Sequence, residues 1–419
     1  MKNLNVEIDF PTEIVTEGQV RVLVPKLSAF VEKPSEYAPS KAPVFYNPVM
    51  ELNRDIAVLA LQAYQQTVKR EITVCEPLAG CGVRGIRFAL EVKGVKKVLI
   101  NDINRKAYKL AKYNVELNGL GERVSVKNMD ANLLLARHSA PYKRFDAIDI
   151  DPFGSPAPFL DSAIRATRDG GLLALTATDM APLCGVHPKA CIRKYGGKPL
   201  RTEYCHEIAL RLVLGCTAVT AAKHEIGITP LFSHSTDHYV RVYILLKHGA
   251  HEANESLRNM GYILHCFNCF HRETVHENTL LGHASKCSNC GSKIDYAGPL
   301  WLGKIADENF CTSMEEEAQK RQFKTKKRAQ KILALVKTEC EAPPTYYVLD
   351  KMCSRMRVPV PSVKVVLEAL KKGGFIAMPT HFNLAGIKTT ASAEKITSII
   401  KTILNPNKDD KVGCKFNNF

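Results

Sequence analysis

Short apolar runs recur along residues 72–179, each followed by a helix-length amphipathic stretch, and that alternation predicts a parallel, doubly wound sheet. ITVCE (72–76) is the first strand of this set. It leads through a glycine-containing turn into the helix RGIRFALEV. KKVLIND (96–102) is the second strand, and RKAYKLAKYNVELNG after it places its apolar residues at helical spacing and stops at Gly119. RVSVKNMD (123–130), FDAIDIDPF (145–153) and GGLLALTATD (170–179) supply the third, fourth and fifth strands. Upstream, VRVLVP (20–25) reads as a strand, and a helix is expected over 54–68 with Asn53 as its N-cap. Downstream, a long helix covers 203–222. The run HEIGITPLFSHSTDHYVRVYILLK then gives two β-rich segments joined by SHSTDH (233–238), a hairpin at the far edge of the sheet.

The pattern changes after residue 248. Residues 262–296 carry closely spaced cysteines. Residues 314–338 read as one charged helix bearing Lys320, Arg321, Lys324, Lys326, Lys327, Arg328 and Lys331. TYYVLDKMCSRMRVPVPSVKVVLEALKKGGFIA then gives helix, break, helix, Gly-Gly turn and strand, the order of a winged-helix-like module. With 419 residues the chain exceeds one typical domain. The expected division is an α/β domain over 1–250 and an α+β domain over 251–419.

Charge and cysteine usage narrow the class. Lys plus Arg number 58 against 42 Asp plus Glu, a net +16, which suits a polyanionic partner because each phosphate contact releases counterions. No run of about 18 apolar residues occurs, so no membrane span is expected. MKNLNVEIDF does not read as a signal peptide. Of 14 cysteines, four form one spaced cluster. The remainder are scattered through apolar segments, as in a protein of a reducing cytoplasm. No obligate protein partner is implied.

The turn after the first strand, EPLAGCGVRG, is punctuated by Glu76, Gly80, Gly82 and Gly85, which lets backbone approach a ligand closely before a helix starts. Leu78 stands at the first position of a G-x-G-x-G pattern, so the match is degenerate. Asp102 ends the second strand, where an acidic residue hydrogen-bonds ribose hydroxyls. Asp130 ends the third, positioned for the adenine side. Either alone would also serve as a helix cap. The third-glycine spacing of a dinucleotide fingerprint is missing, and a terminal antiparallel hairpin is a fold-level likeness to methyltransferase sheets.

The fourth strand ends in Asp151-Pro152-Phe153-Gly154. Methylation of an aromatic exocyclic amine needs positioning and hydrogen-bond acceptance more than acid–base help. The Asp151 carboxylate and the Pro152 carbonyl suit that task, and the Phe153 ring suits stacking on a base lifted from its helix. Asp149 shares the side of the strand with Asp151 and is its rival. Farther on, Cys266-x2-Cys269-x17-Cys287-x2-Cys290 has the spacing of two knuckles closing a tetrahedral Zn2+ site. With four thiolates no position is left for water, so the zinc is expected to be structural and His265, His271 and His283 bystanders.

DIDPFGSP, the segment ATDMAPLCGVHPKACIRKYGGKPLRTEYCHE (177–207), VFYNPVMELNRD (44–55) and the cysteine cluster together resemble the tRNA (guanine26-N2)-dimethyltransferases in their archaeal form. The resemblance runs over nearly the whole chain. It implies a Rossmann-like class I methyltransferase sheet, S-adenosylmethionine as methyl donor, and tRNA as partner. By motif it implies Arg54, Arg84 and Phe45 as cofactor contacts. Asp102, Asp130 and Ala131 are implied on the ribose and adenine sides, with Asp151 as catalytic carboxylate and Phe153 as stacking ring. The run THFNLAGIKTTA (380–391) departs from the family pattern at Leu384 and Thr390, which bears on tRNA contacts. A nucleic-acid adenine-N6 methyltransferase shares an Asp-Pro-aromatic run and is the first alternative. A non-catalytic tRNA-binding protein is the second.

Overall fold

The computed structural model describes residues 7–31, 39–276 and 285–405. Residues 1–6 of the N-terminal segment and His283 lie outside them. The chain opens with an antiparallel pair, β1 (Thr12–Glu17) and β2 (Val20–Pro25), then α1 (Glu51–Val68). The alternating part follows as β3 (Ile72–Glu76), α2 (Val83–Glu91), β4 (Val95–Asn101), α3 (Arg105–Leu117), β5 (Val124–Lys127), α4 (Ala131–Ala136), β6 (Phe145–Ile150), α5 (Leu160–Ala166) and β7 (Thr167–Ala177). Three helices, α6 (Met180–Leu183), α7 (Pro188–Tyr195) and α8 (Cys205–Ala222), lead to the hairpin β8 (Ile226–Thr236) and β9 (Tyr239–His248).

These strands form one seven-stranded sheet in the order β5-β4-β3-β6-β7-β9-β8. The first five are mutually parallel, and β9 is inserted antiparallel to both β7 and β8. The α/β sheet and its edge hairpin are thus as the alternation predicts. Every residue of β6 is buried, which is why its sequence is a near-continuous apolar run rather than an alternating one. One face of the sheet is covered by α1, α2 and α3, the other by α5 and α8. By length and composition α8 would also pass for a membrane span, yet 67% of that stretch is buried inside the molecule.

The remaining elements are α9 (Ala250–Leu257), a three-stranded sheet of β10 (Met260–His265), β11 (Arg272–Val275) and β12 (Asp295–Trp301), and the helices α10 (Glu308–Lys320) and α11 (Lys326–Thr338). After these come β13 (Tyr347–Val348), α12 (Leu349–Met356), α13 (Val363–Lys372), β14 (Ala377–Pro379), β15 (Gly386–Thr389) and α14 (Ala393–Leu404). The last strands form a sheet in the order β13-β15-β14 with a hydrophobic cluster of its own. Residues of α10 and α11 complete the core that α1 makes with the large sheet.

Two expectations are corrected. Asn53 does not cap α1. The helix begins at Glu51 behind a 3-10 turn over Pro48–Met50, and Asn47 caps that turn by accepting from the Val49 N–H at 2.9 Å. Proline fixed at the start of a turn seeds the helical direction early, which leaves Asn53 buried inside the helix. The stretch 314–338 is two helices, not one. Arg321 adopts an extended conformation between them and turns its guanidinium inward, donating to the Glu91 carbonyl at 2.9 Å and to Gln62 at 3.2 Å. That inward contact breaks the helical run, so that two short helices pack beside α1.

Candidate active site

The carboxyl ends of β3, β4 and β6 open onto a cavity of about 700 Å³. Parallel sheets of this kind bind ligands at that edge. The turn after β3 forms its floor. Gly80 (φ +55°) passes so close to the Phe45 carbonyl that a Cβ there would lie 3.0 Å from that oxygen. At Gly85 a Cβ would collide with Ile100 and Glu76. The glycines therefore serve close backbone packing. The Gly80 N–H also donates to Asp102 Oδ2 at 2.8 Å, and the Asn104 N–H donates to Asp102 Oδ1 at 2.8 Å. Asp102 is so oriented at the end of β4. Burial raises its pKa above the usual value, against these two backbone hydrogen bonds.

Arg84, on the first turn of α2, is the electrostatic centre. Its Nη2 pairs with Asp151 Oδ2, and its Nε lies 3.6 Å from Glu76 Oε1 and 3.7 Å from Asp149 Oδ1. Its Nη1 is buried with no hydrogen-bond partner among the described residues. Asp149 is closed off by Arg241, whose Nη1 donates to Asp149 Oδ1 at 3.0 Å and to Thr176 at 2.7 Å while Nη2 engages the second oxygen. Asp149 and Asp151 both reach Arg84, as strand alternation requires. Of the two, Asp151 lines the cavity and has 21% of its side chain exposed. Burial alone would raise the Asp151 pKa, but the charges of Arg84 and then Arg241 outweigh it and hold the carboxyl below its usual range. The balance at Glu76 is the reverse. Burial pushes it up to about 8 and Arg84 offsets this only in part.

Phe153 stands at the cavity mouth with 69% of its surface exposed. Its ring meets the Phe45 ring edge to face, with centroids 4.2 Å apart. Gly154 (φ +87°) turns the chain behind it. The turn is laced to Thr178 in both directions, by Gly154 N–H to Thr178 Oγ1 at 2.8 Å and Thr178 N–H to the Gly154 carbonyl at 2.9 Å. Arg54 lines the opposite wall. Glu17 grips it with two hydrogen bonds of 2.6 Å, and Tyr46 donates to the same carboxylate at 3.2 Å.

The structure thus gathers Phe45, Arg54, Arg84, Asp102, Asp151 and Phe153 around one cavity. Asp130 and Ala131 stand at the end of β5, outside its lining. Asp130 accepts from the Leu133 N–H at 2.9 Å and caps α4. Sequence reading missed Thr178, His238 and Tyr239 as cavity walls. The signal for the last two was present, since a hairpin at the sheet edge must put its tip above the strands' carboxyl ends.

The cysteine cluster is assembled as two matching knuckles. Cys266 N–H donates to the His271 carbonyl and Cys287 N–H to the Ser292 carbonyl, with Phe270 (φ +60°) and Gly291 (φ +69°) at equivalent left-handed positions. The Cys266 and Cys290 sulfurs lie 3.5 Å apart, as do those of Cys269 and Cys287, and all four lie within 4.8 Å of one another. Tetrahedral Zn–S bonds of about 2.3 Å place sulfurs about 3.8 Å apart, so the donor set fits zinc. His265 is buried against Tyr204 and Phe267, and His271 pairs with Glu273. Neither is part of the sulfur cluster.

With this geometry in view, comparison with known proteins is specific. A family model described as N2,N2-dimethylguanosine tRNA methyltransferase matches residues 18–401. The chain is 42% identical over 401 residues to a tRNA (guanine(26)-N(2))-dimethyltransferase of Methanobrevibacter smithii, covering 95% of this chain and 100% of the relative. It is 38% identical to the tRNA (guanine(26)-N(2)/guanine(27)-N(2))-dimethyltransferase of Aquifex aeolicus, covering 92% of this chain and 94% of the relative. Among solved structures it is similar to Trm1 from Pyrococcus horikoshii in complex with S-adenosyl-L-methionine, with a TM-score of 0.80 and 36% identity over 92% of this chain and 99% of that one. The chain belongs to the N2,N2-dimethylguanosine tRNA methyltransferase family.

Proposed function

We propose that the chain transfers methyl groups from S-adenosylmethionine to the exocyclic N2 amine of guanine 26 in tRNA, giving N2-methyl- and then N2,N2-dimethylguanosine. The observation that carries this reading is an ionised carboxylate, Asp151, fixed by Arg84 beside the exposed ring of Phe153 at the mouth of the cavity. The cavity falls within the usual size range of small-molecule sites, about 300–1,000 Å³. The unpartnered Nη1 of Arg84 suits the cofactor's carboxylate, and Asp102 suits its ribose hydroxyls. Arg54 and Phe45 complete the pocket. Asp130 and Ala131 serve the adenine side from the neighbouring strand end.

Bound S-adenosylmethionine supplies an electrophilic methyl group on a sulfonium sulfur. Asp151 and the Pro152 carbonyl accept hydrogen bonds from the guanine amine and aim its lone pair. Phe153 stacks on the base, which must leave its helix to arrive there. Until it sheds its proton, the methylated nitrogen is far more acidic than the free amine. A carboxylate of depressed pKa therefore suffices to pass that proton to water at the open mouth.

In this reading residues 1–250 are the methyltransferase domain and residues 251–419 the tRNA-holding domain. Two modules belong to the second: a zinc knuckle on Cys266, Cys269, Cys287 and Cys290, and a winged-helix-like unit from α12 to β15. The zinc is structural, because four sulfurs leave no open position. The enzyme works in the cytoplasm without an obligate protein partner or a membrane, in keeping with its unpaired thiols.

The test is nucleoside mass analysis of a guanine-26 tRNA after incubation with the protein and S-adenosylmethionine. N2-methyl- and N2,N2-dimethylguanosine are expected, and a guanine-26-to-adenine transcript stays unmodified. Methyladenosine without methylguanosine, or no product, overturns the proposal. Modification of a transcript with guanine only at position 27 overturns its restriction to position 26.

A further inference from the structure

Residues 178–204 start at Thr178, which lines the cavity, leave β7, form α6 and α7, and return to the start of α8. The two ends of this excursion are pressed together. Gly185 (φ +87°) lies against the Leu200–Arg201 backbone so closely that a Cβ would come 2.9 Å from the Arg201 nitrogen. Beside that contact stand Cys184, which comes directly after the last residue of α6, and Cys205 and His206, the first two residues of α8. The Cys184 and Cys205 sulfurs and a ring nitrogen of His206 all lie within 4.8 Å of one another, the same limit that the Cys266 cluster meets.

We propose that Cys184, Cys205 and His206 form a second metal site, which binds a zinc-class divalent cation and clasps the excursion that leaves the cavity at Thr178. Two thiolates and an imidazole are the donor set that selects zinc over magnesium or calcium. Bonds of about 2.3 Å to sulfur and 2.0 Å to nitrogen put ligand atoms about 3.5–3.8 Å apart, so the three separations need close by at most about 1.3 Å. All three are only half-buried, which leaves their side-chain torsions free to do so. The start of an 18-residue helix at Cys205 favours thiolates there. Three ligands leave a fourth position for water. The clasp closes the loop that carries α7, whose exposed Lys189 and Arg193 have no partner among the described residues. Its ligands share no residue with the four-cysteine cluster, so the two sites are independent.

The experiment measures zinc per chain by mass spectrometry in full-length protein purified anaerobically without chelator, beside the double variant Cys184→Ser/Cys205→Ser. About two ions per chain are expected in the parent and about one in the variant, the four-cysteine cluster retaining its own. About one ion in the parent, or an unchanged content in the variant, overturns the proposal. A variant-free arm guards against misfolding. In the intact parent, alkylation of Cys184 and Cys205, followed by peptide mass, is expected to accelerate when a chelator is added. Rates indifferent to chelator, or recovery of the two cysteines as a disulfide, overturn it.

Discussion

At Arg84 one guanidinium is shared by Glu76, Asp149 and Asp151. The arrangement keeps Asp151 ionised while Glu76, deeper and drier, retains its proton to about pH 8. That division has two testable consequences. Asp151→Asn removes the charge that aims the amine, so kcat should fall by about 10²–10³-fold, the usual loss for an aligned transition-state contact. Affinity for tRNA, measured by filter binding, should stay within about twofold, since phosphates supply most of it. Glu76 has a raised folded pKa, so the native state binds more protons than the unfolded one between about pH 4.5 and 8. Its contribution is therefore fully present below about pH 4.5 and is lost as pH rises towards 8. Glu76→Gln should flatten the fall in Tm over that window, and an unchanged slope would refute the assignment. Asp151 and Phe153 were legible in the sequence because a buried apolar strand presents the residues at its carboxyl end to the ligand edge of the sheet. The shared guanidinium was not legible, because α2 must pack on the sheet before Arg84 meets residues 65 and 67 positions away. Asp130 shows the converse limit: the sequence offers a cap and a ligand at the same position, and capping α4 through Oδ1 does not choose between them, because the second oxygen is still available.

Among the elements, the β1–β2 hairpin does more than its exposed sequence suggests. Glu17, at the end of β1, accepts from Arg54 of α1 and from Arg87 of α2 at 3.0 Å, while Arg87 also pairs with Asp55 and Glu91. Burial would raise the Glu17 pKa, but Arg54 and Arg87 bring it down to about 2. A depressed carboxylate stabilises the fold above about pH 4.5 and loses that contribution as pH falls towards 2. Glu17→Ala leaves Arg54 short of its carboxylate and Arg87 without one of its three, inside the protein. Breaking a buried pair of this kind costs about 3–5 kcal/mol, to be read from urea unfolding at neutral pH. Because Arg54 lines the cavity, KM for S-adenosylmethionine should rise as well. Loss of stability without any change in KM would mean that Arg54 is purely structural. VRVLVP was readable as a strand, but its partner TEIVTE was not, since three of its six residues are exposed and it carries two glutamates. The break at residues 321–325 was equally hidden, because helical propensity runs through it while Arg321, Phe323 and Thr325 turn inward onto Glu91, Arg87 and Asp55.

Across the whole molecule, the second half of the chain is anchored to the first by buried charge. Lys388 of β15 reaches Glu207 of α8 at 2.7 Å, and Glu339, just after α11, holds His381 and Thr380. These contacts tie the C-terminal sheet to α8 and to the end of α11. The net charge of +16 then has to be read by position, not by sum. Of the basic run, Lys320 pairs with Glu317, Arg328 with Asp237 at the hairpin tip, and Lys324 donates to the Thr16 carbonyl. Lys327 and Lys331, one turn apart on α11, are exposed and have no partner among the described residues. If α11 touches the tRNA backbone, those two side chains carry the contact. Lys327→Glu/Lys331→Glu should weaken tRNA binding, and the slope of log K against log salt should become shallower by about 1–2. With tRNA saturating, kcat should be unchanged, because neither side chain approaches the cavity. An unaltered salt slope would move the electrostatic footprint off α11 and onto other basic surfaces such as α7.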